Sequence, residues 1–213
     1  MNIDKNEVLR YLGYHGTPGD EEILNTIESC AAELSENTSP RCLSRTFDVI
    51  LKPDAVIIGT VTIESRDLRK HIDGCGEAVV FAATLGAQAD LLLRRYSKID
   101  MSRTVILQAC AAAMVESYCD DCGLEIAKEA AKRELFLRPR YSPGYGDFSI
   151  QHQSDLLGML DCQKRIGLTM TDSFMLTPSK SVTAVIGLTD QKQSCHIAKC
   201  MDCKSTDCPF RKG

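Results

Sequence analysis

Apolar residues recur at close to the 3.6-residue helical period over residues 101–134, where Val105, Leu107, Cys110, Ala111, Met114, Val115 and Tyr118 form one stripe. That spacing predicts the longest helix of the chain, which Gly123 bends or divides. Residues 78–84 behave differently, as a continuous apolar run of strand length, which predicts a central strand covered on both faces. Shorter helices are expected over 4–12, over 19–34 with Asp20 as its N-cap, and over 65–71 and 86–96. Residues 154–166 read as one helix or two. Residues 41–51 are rich in β-branched and aromatic side chains and end in Lys52-Pro53-Asp54, a strand running into a turn. Residues 55–63 form a second strand and 181–188 a late one. The order of elements is an α+β alternation without internal repeats.

Composition narrows the possibilities. The chain has 213 residues, 44% of them hydrophobic, enough for one substantial core and a small appendage. Its apolar runs fall well short of the roughly 20 residues a membrane helix needs, so no span is expected. The N-terminal MNIDKNEVLR carries both charge signs and no apolar leader core, which points to the cytoplasm and to reduced cysteines. A net charge of -4 gives no basic footprint for nucleic acid.

Eleven cysteines are many for a reducing compartment. Cys30, Cys42, Cys75, Cys110 and Cys162 stand singly in apolar or mixed segments and read as small buried hydrophobes. Cys119 and Cys122 lie nearly a helical turn apart; burial is the safer reading, with a ligand pair as the alternative. Gly74-Cys75-Gly76 precedes the apolar strand instead of following a strand and opening a helix, so it is no dinucleotide fingerprint. His71 and Gly74 have the spacing of a corrinoid-binding Asp-x-His-x-x-Gly signature, but Arg69 stands where the orienting aspartate belongs. His71 therefore reads as a solvated helix-end residue.

The stretch RPRYSPGYGDF, residues 138–148, holds two arginines, two prolines, two glycines and two tyrosines. Ser142-Pro143-Gly144-Tyr145 has the chemistry of a type II turn, with proline setting φ at the second position and glycine accepting positive φ at the third. Such a turn fixes Arg140 and Tyr145 relative to exposed backbone groups. Arginine's planar fork suits a bidentate carboxylate. The residues alone favour Arg140 pairing with a nearby acid and Tyr145 simply packing, since loops with Pro and Gly are common.

The same stretch resembles the Arg-Pro-x-x-Pro-Gly-Tyr signature of the activation domain of cobalamin-dependent methionine synthase. A second block, from Gly167-Leu168-Thr169 through Asp172-Ser173-Phe174-Met175-Leu176-Thr177-Pro178-Ser179-Lys180-Ser181-Val182, is similar to that family's Thr-x-Ser-Phe-x-Met-x-Pro-x-x-Ser-Val block. Together the resemblance covers residues 100–190. It implies a twisted, mainly antiparallel sheet with long helices, and a site for S-adenosylmethionine. Arg140 would grip the ligand's carboxylate, Ser142 and Gly144 would offer backbone contacts, and Tyr145 would line the site. Glu116 is the candidate acid for the ammonium group; its alternative is a solvated helix glutamate. The chain departs from the family's larger domains at Gln151 and Ile186, where those carry a histidine and a tyrosine; His152 is one residue from the first. The implied activity is reductive methylation of cob(II)alamin carried on a separate methionine synthase chain, with a flavodoxin- or ferredoxin-like electron donor. The alternative is a metal-binding electron-transfer or adaptor module without S-adenosylmethionine activity.

The C-terminus carries Cys195-x4-Cys200-x2-Cys203-x4-Cys208 followed by Pro209. Four thiolates in fourteen residues suit tetrahedral zinc or an iron–sulfur cluster, and the spacing leaves both open. Lys199, Lys204, Arg211 and Lys212 would offset thiolate charge or face an acidic partner. The expected organisation is an activation-domain-like unit over 1–190 and a cysteine-rich metal-binding tail over 191–213.

Overall fold

The computed structural model describes residues 3–14 and 19–191. Helix α1 (Lys5–Tyr11) starts at Asp4, whose carboxylate accepts from the Asn6 amide, and α2 (Glu21–Asn37) starts at Asp20, which accepts from Ile23 N at 2.8 Å. There follow β1 (Arg41–Leu51), β2 (Val56–Ile58), β3 (Val61–Ile63) and α3 (Arg66–His71). Next come β4 (Glu77–Thr84), α4 (Ala87–Tyr96), α5 (Met101–Ala131) and β5 (Phe136–Leu137). The chain continues through α6 (Gln153–Leu160), α7 (Cys162–Ile166), β6 (Thr169–Met170), β7 (Leu176–Thr177) and β8 (Ser181–Thr189).

Six strands form one antiparallel sheet in the order β3-β2-β1-β4-β8-β5, and β6 and β7 form a separate hairpin. Strand β4 lies between β1 and β8, with Phe81 opposite Ser44 on one side and Ala184 on the other. Its uninterrupted apolar run is thereby explained. Val79, Phe81 and Ala83 enter a core built with α1, α2, α4 and α5, while Ala78, Val80 and Ala82 enter a second core with β2, β3, α3, α6 and α7. Each fully buried large side chain in these layers, such as Phe81 or Leu107, contributes on the order of 1.5–3 kcal/mol by leaving water.

The expected single strand over 55–63 is instead a hairpin. Gly59 takes φ +58° and sits where a Cβ would come within 2.9 Å of the Phe47 ring, so the glycine marks a turn between two three-residue strands. Helix α5 runs unbroken through Gly123, about 46 Å in all. Val105, counted in its apolar stripe, is exposed. The segment over 154–166 resolves into two helices, because Asp161 adopts left-handed φ +52°. Strand β5 and the β6–β7 hairpin were not expected; two-residue strands carry no readable period. Among the described residues, no helix is long and apolar enough to cross a membrane.

Candidate functional site

The Pro-Gly loop runs back along β8. Leu137 pairs with Leu188 and Tyr141 with Val185, so Arg138, Pro139 and Arg140 face only Gly187 and Ile186. The additional residue makes a bulge, and it falls where Pro139 has no N–H to give a ladder. The strand is anchored on both sides of it: Arg138 N donates to Gly187 O at 2.8 Å, and Tyr141 and Val185 exchange both backbone bonds at 2.9 Å.

The predicted turn follows. Tyr145 N donates to Ser142 O at 3.1 Å and Gly144 has φ +95°, as the third position of a type II turn requires. Gly144 N then donates to Phe148 O at 2.7 Å, closing the loop. Buried Phe148 stacks on Tyr141 at 6.3 Å between centroids, and Tyr145, exposed, meets Tyr141 edge-on at 5.8 Å.

Helix α3 fixes the loop from outside. His71 Nε2 lies 2.8 Å from Pro139 O, and its ring stacks on Tyr141 at 4.7 Å. His71 is therefore a half-buried strut and not a solvated helix end. A histidine in the last helical turn has both a ring to stack and a donor to give, but the loop it meets lies 68 residues away along the chain.

Arg140 leaves the bulge toward α5. Its Nη2 meets Glu116 Oε2 at 2.8 Å and its Nη1 meets Asp120 Oδ1 at 2.9 Å. Glu116 and Asp120 are one helical turn apart, so a single guanidinium reaches both. Side-chain exposure rises outward, from 25% for Arg140 to 45% for Glu116 and 67% for Asp120, so the cluster opens at the surface on its acidic side. Burial opposes the arginine's charge, yet the neighbouring groups outweigh it and raise its pKa. Cys119 lies beneath, its thiol pushed up to about 12 by burial, so at neutral pH Glu116 and Asp120 are the charges that hold Arg140.

The structure thus brings Arg140 and Glu116 together and sets Ser142, Gly144 and Tyr145 on the adjoining turn. Asp120 is an addition that the sequence did not single out; an acid at i+4 from Glu116 was the available signal. Gln151 is exposed, and half-buried His152 pairs through Nδ1 with Asp155 at 2.7 Å. Ile186 is buried in the helix-side core and faces no surface ligand. A cavity of about 700 Å³ lies elsewhere, between β1 and the second half of α5, with Cys42, Val79, Tyr118, Cys122 and Leu188 in its wall and Arg140 outside it.

Cys30, Cys75, Cys110, Cys119, Cys122 and Cys162 are buried and Cys42 is half-buried. Among the described residues no group of three or more His, Cys, Asp or Glu could hold a metal ion. Cys195, Cys200, Cys203 and Cys208 lie outside the described residues.

The architecture defines an α+β domain with a two-sided antiparallel sheet, and a loop-borne arginine facing helix carboxylates. The chain belongs to the vitamin B12 dependent methionine synthase activation domain family, whose profile matches residues 69–213. Comparison with curated proteins gave no match. Its fold is similar to that of the MetH reactivation domain in a crystal structure bound to AdoHcy, with a TM-score of 0.69 and 15% identity over 91% of this chain and 76% of that one.

Proposed function

We propose that this protein binds S-adenosylmethionine through Arg140 and Glu116 and serves the reductive reactivation of a methionine synthase whose cobalamin is held outside residues 1–213. The observation that carries the reading is the 2.8 Å contact between Arg140 and Glu116, two residues 24 apart in sequence on different elements. An amino-acid head group is a carboxylate beside an ammonium, and a guanidinium beside a carboxylate is its electrostatic complement. On binding, the ligand's carboxylate takes the arginine fork in place of Glu116 and Asp120 and its ammonium takes Glu116, so the two internal contacts of Arg140 are exchanged for two with the ligand. The MetH reactivation domain was crystallised with S-adenosylhomocysteine, the product left when the methyl group has gone.

The turn supplies the rest of the cradle. Gly144 N–H is already given to Phe148 O, so contacts from Ser142 and Gly144 fall to groups other than that amide. Tyr145 offers an exposed ring on the same loop, edge-on to Tyr141. The bulge, the turn and the His71 strut hold these groups before the ligand arrives, which lowers the ordering cost of binding.

Cobalamin supplies the methyl acceptor: one electron from a flavodoxin- or ferredoxin-like donor, with the methyl group of the sulfonium, converts cob(II)alamin to methylcobalamin and leaves S-adenosylhomocysteine. The residues of this chain position the donor, and no general base is needed. The cysteines 195, 200, 203 and 208 fit zinc or an iron–sulfur cluster by their spacing and donor type.

A second reading is favoured by the fact that both terminal nitrogens of Arg140 already have carboxylate partners. On that reading the cluster is structural and the protein is a metal-binding adaptor or electron-transfer module for a corrinoid protein. Titration calorimetry with S-adenosylmethionine separates the two. Binding that is lost in Arg140→Ala supports the first, and a protein that binds only metal supports the second.

A further inference from the structure

The cluster at the mouth of the site holds an odd number of charges. Arg140 contributes one positive charge, and Glu116 and Asp120 contribute two negative ones, within 2.9 Å of its two terminal nitrogens. If, as proposed above, the site takes an amino-acid head group, the ligand's carboxylate is met by Arg140 and its ammonium by one acid. Glu116 is the less exposed of the two and suits the ammonium. Those four charges cancel, and the carboxylate of Asp120 is left over.

S-adenosylmethionine carries one further charge, the sulfonium, and S-adenosylhomocysteine carries none. We infer that Asp120 is a specificity-determining residue, whose unbalanced carboxylate makes the site prefer a sulfonium ligand to the corresponding thioether. The attraction acts through space and needs no contact with sulfur. Cys119, beside it, is a neutral thiol at neutral pH, and Asp121, next along α5, adds negative charge while lining the separate cavity beside β1. Asp120 is two-thirds exposed, so water and salt screen the effect, which sets the discrimination at about threefold to tenfold. The same charge eases turnover. Transfer of the methyl group removes the positive charge from the ligand, and the product loses its attraction to Asp120 when it must leave.

The test is calorimetric affinity for S-adenosylmethionine and for S-adenosylhomocysteine, measured on the full chain as wild type, Asp120→Asn and Asp120→Glu, at low and at high salt. The expected result is that Asp120→Asn weakens the sulfonium ligand about threefold to tenfold and leaves the thioether within about twofold. Asp120→Glu should restore the preference, and added salt should reduce it in wild type but not in Asp120→Asn. An equal change in both affinities, in either direction, overturns the inference and makes Asp120 a partner of Arg140 alone. Failure of wild type to bind either ligand overturns the site itself, and is seen before any variant is made.

Discussion

Asp147, the penultimate residue of the Pro-Gly loop, caps helix α3 at Ser65 from across the chain. Its carboxylate accepts from Ser65 Oγ, from Arg66 N at 2.9 Å and from Asp67 N at 3.1 Å, and Asp67 in return accepts from Asp147 N at 3.2 Å. The loop that carries Arg140 is thus held by a helix N-terminus, where a negative charge is favourable. The bond from Ser65 lowers the carboxyl pKa below its ordinary 3.8, and the amides of Arg66 and Asp67 add to it. A depressed folded-state pKa gives stability that is present above the unfolded value and lost as pH falls through the folded one. Asp147→Ala should therefore lower the melting temperature at pH 7, and the gap from wild type should shrink as pH falls below about 4. Thermal melts at pH 7 and pH 3 check both parts.

Gly146 has φ +53°, and a Cβ built there would lie 2.2 Å from Asp67 Oδ2 and 2.8 Å from the Tyr141 hydroxyl. Gly146→Ala should cost about 1–3 kcal/mol, from left-handed backbone strain together with displacement of the α3 cap. Urea unfolding measures it. A change below 0.5 kcal/mol, roughly the noise of a surface substitution, would mean that the loop is not held as described.

Burial pushes the thiols of Cys110, Cys119 and Cys122 up to about 12 and that of Cys162 to about 11. Raised values give stability that is complete below the unfolded thiol pKa and lost as pH rises toward the folded one. Stability should fall steadily from about pH 9 upward. At pH 8 these four thiols should resist an alkylating reagent in the folded state and react once urea is added, as mass spectrometry of the labelled peptides would show.

The cysteine-rich C-terminus leads to a prediction about metal. Anaerobically purified protein should carry zinc or an iron–sulfur cluster, visible by elemental analysis or as a visible absorption band, and Cys200→Ser should lose it. Metal retained in that variant would assign it to other ligands.

Much of this fold is legible in the sequence, for reasons that individual residues make plain. Asp20 announces its helix because a short acceptor before an amphipathic run satisfies free amides, and Asp4 and Ser65, read only as the first residues of their expected helices, cap them in the same way. Residues 78–84 announce a central strand because both faces of β4 must be apolar. Pro143-Gly144 announces its turn because few other pairs meet both φ requirements. What stayed hidden is non-local. The splitting of 55–63 depends on Gly59 meeting the ring of Phe47, and strand β5 exists only because β8 lies beside it. The strut from His71 joins elements 68 residues apart, beyond the reach of any local pattern, and the pairing of Arg140 with Asp120, 20 residues apart, shows locally only as an acid at i+4 from Glu116.

The most direct measurement is the affinity of the full chain for S-adenosylmethionine by titration calorimetry, in wild type and in Arg140→Ala, with folding of both checked by circular dichroism. Wild type should bind, and Arg140→Ala should bind about 30-fold more weakly or worse, as expected when one partner of a hydrogen-bonded charge pair is removed. Equal binding by the two proteins, or none by wild type, would contradict the assignment of Arg140 and Glu116 as the amino-acid subsite.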